Sequence, residues 1–151
     1  MIRVELSVDS ECIPGMDFTF LKGLHKIIQE ELDPNIDHNW VAALKFVTSE
    51  EIQSLNKVYR NIDKPTNVLS FGDDLSKSTK DSFLGDLAIC FDVVRREALE
   101  QKKQINDHLS HLYIHGVLHL LGYDHANENS ALVMEALEKK ILSKIEVADP
   151  Y

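Results

Sequence analysis

His115-Gly116-Val117-Leu118-His119-Leu120-Leu121-Gly122-Tyr123-Asp124-His125 is the stretch on which the reading of this chain turns. It sets histidines at i, i+4 and i+10, with a glycine between the second and third. Residues four apart on an α-helix share one face, about one turn apart, so His115 and His119 can direct two imidazoles at one ion. Gly122 is the residue type that most readily takes the left-handed conformation ending a helix. The chain can then fold back and bring His125 to the same point. Three protein ligands with a fourth position left for water is the arrangement of a catalytic zinc site, not of a closed structural one.

Working back along the same helix, His108, His111, His115 and His119 step by three, four and four and form a stripe on one face. Leu109, Leu112, Val117, Leu118 and Leu120 cover much of the remaining surface. Such a helix, from about Asn106 to Leu121, is largely buried. Buried imidazoles without partners are costly, so the stripe must meet a metal, a carboxylate or a water-filled cleft. The plain alternative is a set of satisfied core histidines. His108 and His111 suit a surface or supporting role better than ligation. Asp124 either orients a ligand or bonds the backbone of the turn.

Upstream of this helix, strands and helices alternate. Ile2 to Val8 has period two, as does a half-buried strand. Phe18, Leu21, Leu24, Ile27, Ile28 and Leu32 recur at helical spacing, and Asp33-Pro34 closes that helix. Trp40 to Val47 is a second strand. Thr48-Ser49-Glu50-Glu51 matches a capping box, opening a helix through Ile52, Leu55, Val58 and Tyr59. Pro65 bars continuation. Asn67–Phe71 and Leu84–Phe91 read as two strands of a hairpin, joined by a loop at 72–82. Asp92 can cap a helix bearing Val93, Val94, Ala98 and Leu99, and Leu132, Val133, Leu137, Ile141 and Leu142 mark a last one. The expected fold is α/β (α+β layered), one domain over 1–151. About four strands form a mixed sheet packed with about five helices, and the metal site lies on a helix of the C-terminal half.

With 44% hydrophobic and 27% charged residues, the composition is that of a soluble globular protein. No run approaches the ~20 apolar residues that span a bilayer, and Met1-Ile2-Arg3-Val4-Glu5-Leu6 does not read as a signal peptide. Cys12 and Cys90 are far apart and show no pairing pattern, so a reduced cytoplasmic protein is expected. The formal charge of −9 excludes a generally nucleic-acid-coating surface. It leaves room for a local basic group such as Lys57, Arg60 and Lys64, whose simplest reading is a solvated helix end.

The histidine spacing resembles that of metzincin metallopeptidases, with one large difference. Gly116 stands where their catalytic glutamate would be. That glutamate takes a proton from the metal-bound water and passes it to the leaving amine, and glycine can do neither. A phosphodiester poses a different problem, because positive charge near the phosphoryl oxygens does much of the work. A metal with an arginine nearby suits that reaction, through the forked donors of the guanidinium.

Two further blocks extend the pattern. Leu55-Asn56-Lys57-Val58-Tyr59-Arg60 is followed by Asp63-Lys64-Pro65-Thr66-Asn67-Val68-Leu69-Ser70-Phe71, and then by Leu84-Gly85-Asp86-Leu87-Ala88-Ile89. With the histidine stretch, these resemble the YbeY family of bacterial endoribonucleases over most of residues 50–126. The resemblance implies that His115, His119 and His125 hold one metal ion, usually zinc, and that Arg60 is the functional arginine. It also implies that His115 matters for activity. The implied substrate is the small-subunit (16S) ribosomal RNA precursor, cut at its 3′ end, with small-subunit proteins and assembly factors as partners. A monomer with no membrane association is expected. Lys64, Asn67, Ser70 and His111 are candidates for substrate binding, and Asp86 is a weaker one. Gly72 departs from the family, whose members commonly have proline there. Two alternatives stay open: a zinc hydrolase of another substrate such as peptide, and a ribosome-assembly protein whose metal is structural. Imidazole ligands suit copper, nickel and iron as well as zinc.

Overall fold

In the computed structural model, which describes residues 5–32, 39–72 and 81–151, the alternating segments become nine elements. They are β1 (Glu5–Asp9), α1 (Phe20–Leu32), β2 (Asn39–Val47), α2 (Ser49–Arg60), β3 (Val68–Gly72), β4 (Asp81–Cys90), α3 (Phe91–Glu100), α4 (Ile105–Leu120) and α5 (Glu128–Lys144). The sheet runs in the order β1-β2-β4-β3. The β1–β2 and β2–β4 pairs are parallel, whereas β3 and β4 are antiparallel. Parallel neighbours need a crossover. Here α1 supplies the first, and α2 together with β3 lies within the second. The expected mixed sheet, five helices and hairpin are therefore present.

Element boundaries differ in informative places. The hairpin strands run further than the sequence suggests: Gly72, Asp81 and Ser82, read as loop, belong to strands. The rest of that loop, 73–80, lies outside the described residues, as do 2–4 of the first strand and Asp33-Pro34. Asp92 does not cap α3. Cys90 occupies the cap position without a side-chain bond, and Asp92 sits in the first turn, paired with Arg95 at 2.6 Å. Thr48 does cap α2, accepting from the Glu51 amide at 3.2 Å. The Glu51 carboxylate, however, accepts from the Thr48 hydroxyl at 3.3 Å and not from the Thr48 amide, so only the amide-to-hydroxyl half of the expected reciprocal arrangement is formed. Phe18 precedes α1 yet is buried, its ring stacked on Phe46 with centroids 4.3 Å apart.

The strand period of two divides the buried side chains between the sheet's faces. Ala42, Leu44, Phe46, Leu87 and Ile89 join α1, α4 and α5 in the main core. Val47, Leu69, Ala88 and Cys90 meet Ile52 of α2 on the other face, in a smaller cluster. The central helix is α4, with ten of its sixteen residues buried. Inside the core, the Tyr113 hydroxyl lies 2.9 Å from His25 Nδ1 and ties α4 to α1; burial pushes the phenol's pKa up. Cys12 and Cys90 are both free thiols. No helix among the described residues is long and apolar enough to cross a membrane.

Candidate metal centre

His115 and His119 stand one turn apart on α4, at the strip of that helix left partly exposed. Leu121 caps the helix and Gly122 follows at φ +97°, the conformation that glycine adopts without steric cost. The Gly122 amide donates to the His119 carbonyl at 3.0 Å, and the Tyr123 amide to the Leu118 carbonyl at 3.0 Å. These bonds turn the chain back on itself and deliver His125. One ring nitrogen from each of His115, His119 and His125 falls within 4.8 Å of the others. The ring centroids are 4.6, 5.4 and 5.1 Å apart.

The donor set fits a metal. The Nε2 atoms of His115 and His119 are 3.0 Å apart, close to the ~3.3 Å that two ~2.0–2.1 Å bonds at a tetrahedral angle require. Burial, and then the neighbouring His115 and His125, hold the His119 pKa below its usual value. A ring kept neutral in this way is in the state that ligates. Behind the rings lies Glu138 of α5, whose Oε1 is 2.6 Å from His115 Nδ1. Burial alone would raise this carboxyl's pKa. Hydrogen bonds from His115 and Tyr151, with His111 close by at 3.7 Å, outweigh it and bring the value down to about 2. The Tyr151 hydroxyl donates to Glu138 Oε2, and burial together with that bond pushes the phenol's pKa up.

The three histidines open onto a cleft of about 790 Å³, whose walls include Tyr59 and Arg60, the segment Thr66–Gly72, His111 and Tyr151. Arg60 ends α2, and Asn61 behind it takes the left-handed conformation at φ 58°. Asn56 Nδ2 donates to the Lys64 carbonyl at 2.9 Å and holds the reversed chain. The arginine thus sits at the mouth of the histidine cleft.

The other expected residues divide. Asn67, Ser70 and His111 line the cleft. Asn67 Nδ2 donates to Glu97 Oε1 at 3.0 Å, and Ser70 Oγ to the Gly116 carbonyl at 3.1 Å, so both are already engaged. Lys64 is exposed and outside the cleft wall, and Lys57 pairs with Asp63 at 4.0 Å on the surface. Asp86 faces a different groove of about 690 Å³, on the α2 side of the sheet. Asp124 accepts from the Ala126 amide at 3.2 Å, which is the turn-bonding role. His108 is buried, not at the surface, with Nε2 3.0 Å from Glu97 Oε1. The stripe therefore meets two carboxylates as well as the candidate metal site.

Glu138, Glu97 and Tyr151 escaped the sequence reading. A signal existed for the first, because Glu138 shares the buried face of α5 with Met134, Ile141 and Leu142. A carboxylate standing on an apolar stripe needs partners.

The sequence pattern of the family described as "Endoribonuclease YbeY" matches residues 10–146. The chain belongs to the YbeY endoribonuclease family. An "Endoribonuclease YbeY" of Ruthia magnifica subsp. Calyptogena magnifica is 53% identical over 108 residues, covering 72% of this chain and 74% of that protein. One from Francisella tularensis subsp. holarctica is 44% identical over 147 residues, covering 95% of this chain and 88% of its own length. A solution structure of a Thermotoga maritima protein superimposes with a TM-score of 0.61 at 27% identity, covering 96% of this chain and 89% of that one. Membership of this family, an RNA hydrolase family, gives the histidine triad a metal-binding context.

Proposed function

We propose that this chain is a metal-dependent, single-strand-specific endoribonuclease that matures the 3′ end of small-subunit (16S) ribosomal RNA. In this reading His115, His119 and His125 hold one zinc ion and Arg60 is the catalytic cation. The observation that carries it is that the three clustered imidazoles and Arg60 line a single cleft. When bound, zinc supplies Lewis-acid polarisation at the scissile phosphate. Arg60 binds a non-bridging phosphoryl oxygen and stabilises the negative charge that develops there. Asn67, Ser70 and His111 line the path of the strand, with Lys64 outside it as a contact for flanking phosphate. The family resemblance names ribosomal RNA as substrate. The acidic charge of −9 gives little long-range attraction for RNA, so a small-subunit protein or assembly factor guides the cytoplasmic monomer to it.

Nothing in the site favours a peptide-type hydrolase, since position 116 is a glycine packed against Leu87, Val68 and Ser70 of the sheet and offers no general base. Incubation with a single-stranded precursor RNA and zinc tests the proposal. Arg60→Ala is expected to keep its fold and lose about 10²–10³-fold in cleavage rate. A folded Arg60→Ala protein with full RNA processing would sink the enzymatic reading, and cleavage of an unstructured peptide would revive the alternative. A 2′,3′-cyclic phosphate on the product would identify the substrate's own 2′-hydroxyl as nucleophile.

A further inference from the structure

Burying a carboxylate is costly unless its oxygens are paired. Glu138 has no solvent exposure at all, on a helix face otherwise made of Met134, Ile141 and Leu142. Both of its oxygens are used. Oε1 lies 2.6 Å from His115 Nδ1, while Oε2 accepts from the Tyr151 hydroxyl and lies 3.7 Å from His111 Nε2. An ionised carboxylate only accepts, so the proton between Glu138 and His115 belongs to Nδ1. A neutral imidazole protonated at Nδ1 carries its lone pair on Nε2. That is the nitrogen 3.0 Å from His119 Nε2, at the point where the triad converges. The opposite tautomer would aim an N–H at the ion.

We propose that Glu138 is a positioning residue that locks His115 in its Nδ1–H tautomer and aims Nε2 at the ion, and that Tyr151 holds the carboxylate in place. The proposal rests on the reading of the triad as a metal site. It assigns an unequal division of support among the ligands. His125 is exposed on its turn. His115 depends on α5. A carboxylate behind a ligating imidazole fixes ring orientation and raises its basicity, and its loss costs metal affinity. Tyr151 is 57% exposed, so removing its hydroxyl tests the same linkage without opening the core.

The experiment measures zinc affinity of the full chain by competition with a chromophoric chelator. It compares wild type with Glu138→Gln, Tyr151→Phe and His119→Ala. Nitrogen-15 NMR of the metal-free protein reads the His115 tautomer. Glu138→Gln is expected to weaken zinc binding by about 10–100-fold, Tyr151→Phe by a smaller factor in the same direction, with the folded signal retained. His115 is expected as a single Nδ1–H species in wild type and as a mixture in Glu138→Gln. A folded Glu138→Gln protein with unchanged zinc affinity and an unchanged tautomer overturns the proposal. Should that variant not fold, Tyr151→Phe decides, and unchanged affinity and tautomer there overturn it equally. If wild type takes up no zinc, or His119→Ala takes it up as well, the metal reading itself fails and the proposal with it. That failure is visible in proteins whose Glu138 is intact.

Discussion

The backbone of α4 comes so close to the sheet at Gly116 that a β-carbon there would lie 2.8 Å from Leu87 Cδ2 and 3.3 Å from Val68 Cγ2. The position that carries a catalytic glutamate in helical zinc peptidases is here a packing contact. Restoring that residue should not restore the chemistry. Gly116→Glu is expected to lose more than about 3 kcal/mol of stability by forcing a carboxylate between α4 and the sheet, and to gain no peptidase activity. Gly116→Ala sets a helix-propensity gain of about 1 kcal/mol against about 1–3 kcal/mol of overpacking. A net loss near 1 kcal/mol in urea unfolding is expected, and a more stable Gly116→Ala protein would contradict the close packing. The convergence of His115, His119 and His125 was legible because their spacing repeats the geometry of a helix and a turn. Glu138 was not, because its partners His115 and Tyr151 lie 23 and 13 residues away in sequence. The place of Arg60 in the cleft wall was not legible from spacing, since a cation at a helix end looks the same whether it faces water or a cleft.

At the scale of single elements, helices were read most surely where apolar residues keep a 3.6-residue period, and least surely at their ends. The passage from β4 to α3 has no intervening loop, so the strand residue Cys90 takes the cap position and Asp92 is displaced into the first turn. The best-formed cap is that of α5. Asn127 accepts from the Ser130 amide at 2.9 Å, and the Ser130 hydroxyl accepts from the Asn127 amide at 3.2 Å. A serine in the third position, in place of Glu or Gln, hides this box from a pattern search. Asn127→Ala is expected to cost about 1 kcal/mol in chemical denaturation. Because α5 also carries Glu138, any fraying from that end should weaken zinc binding beyond what stability alone predicts. Hydrogen exchange of α5 amides with and without zinc would register the coupling as stronger protection in the loaded protein.

For the molecule as a whole, the sheet order β1-β2-β4-β3 lay beyond the sequence reading. Hydrophobic alternation assigns a strand its buried face, whereas neighbours are chosen by how α1, α2 and α4 cover the sheet. One long-range tie is electrostatic. Glu31 of α1 meets Lys140 and Lys144 of α5 at 2.7 and 2.8 Å, and hydrogen bonds from these two lysines lower its pKa. Its contribution is therefore present above the ordinary carboxyl value of 4.5 and is lost as pH falls through the lower folded-state value. Wild type should lose thermal stability more steeply below that pH than Glu31→Gln, and parallel melting curves would contradict the tie. Metal binding should act on the same scale. Free zinc at about 100 times its Kd adds about 2.7 kcal/mol, a chelator should reverse the gain, and His125→Ala should abolish it without moving the metal-free melting temperature. The cleft itself draws Arg60 from α2, His115 and His119 from α4, His125 from the turn after it and Tyr151 from beyond α5. Almost every layer of the protein must be docked before these side chains meet. A chain still folding, or one whose last helix has come away, carries all the parts of a nuclease and none of its hazard: the scissors exist only when the handle is finished.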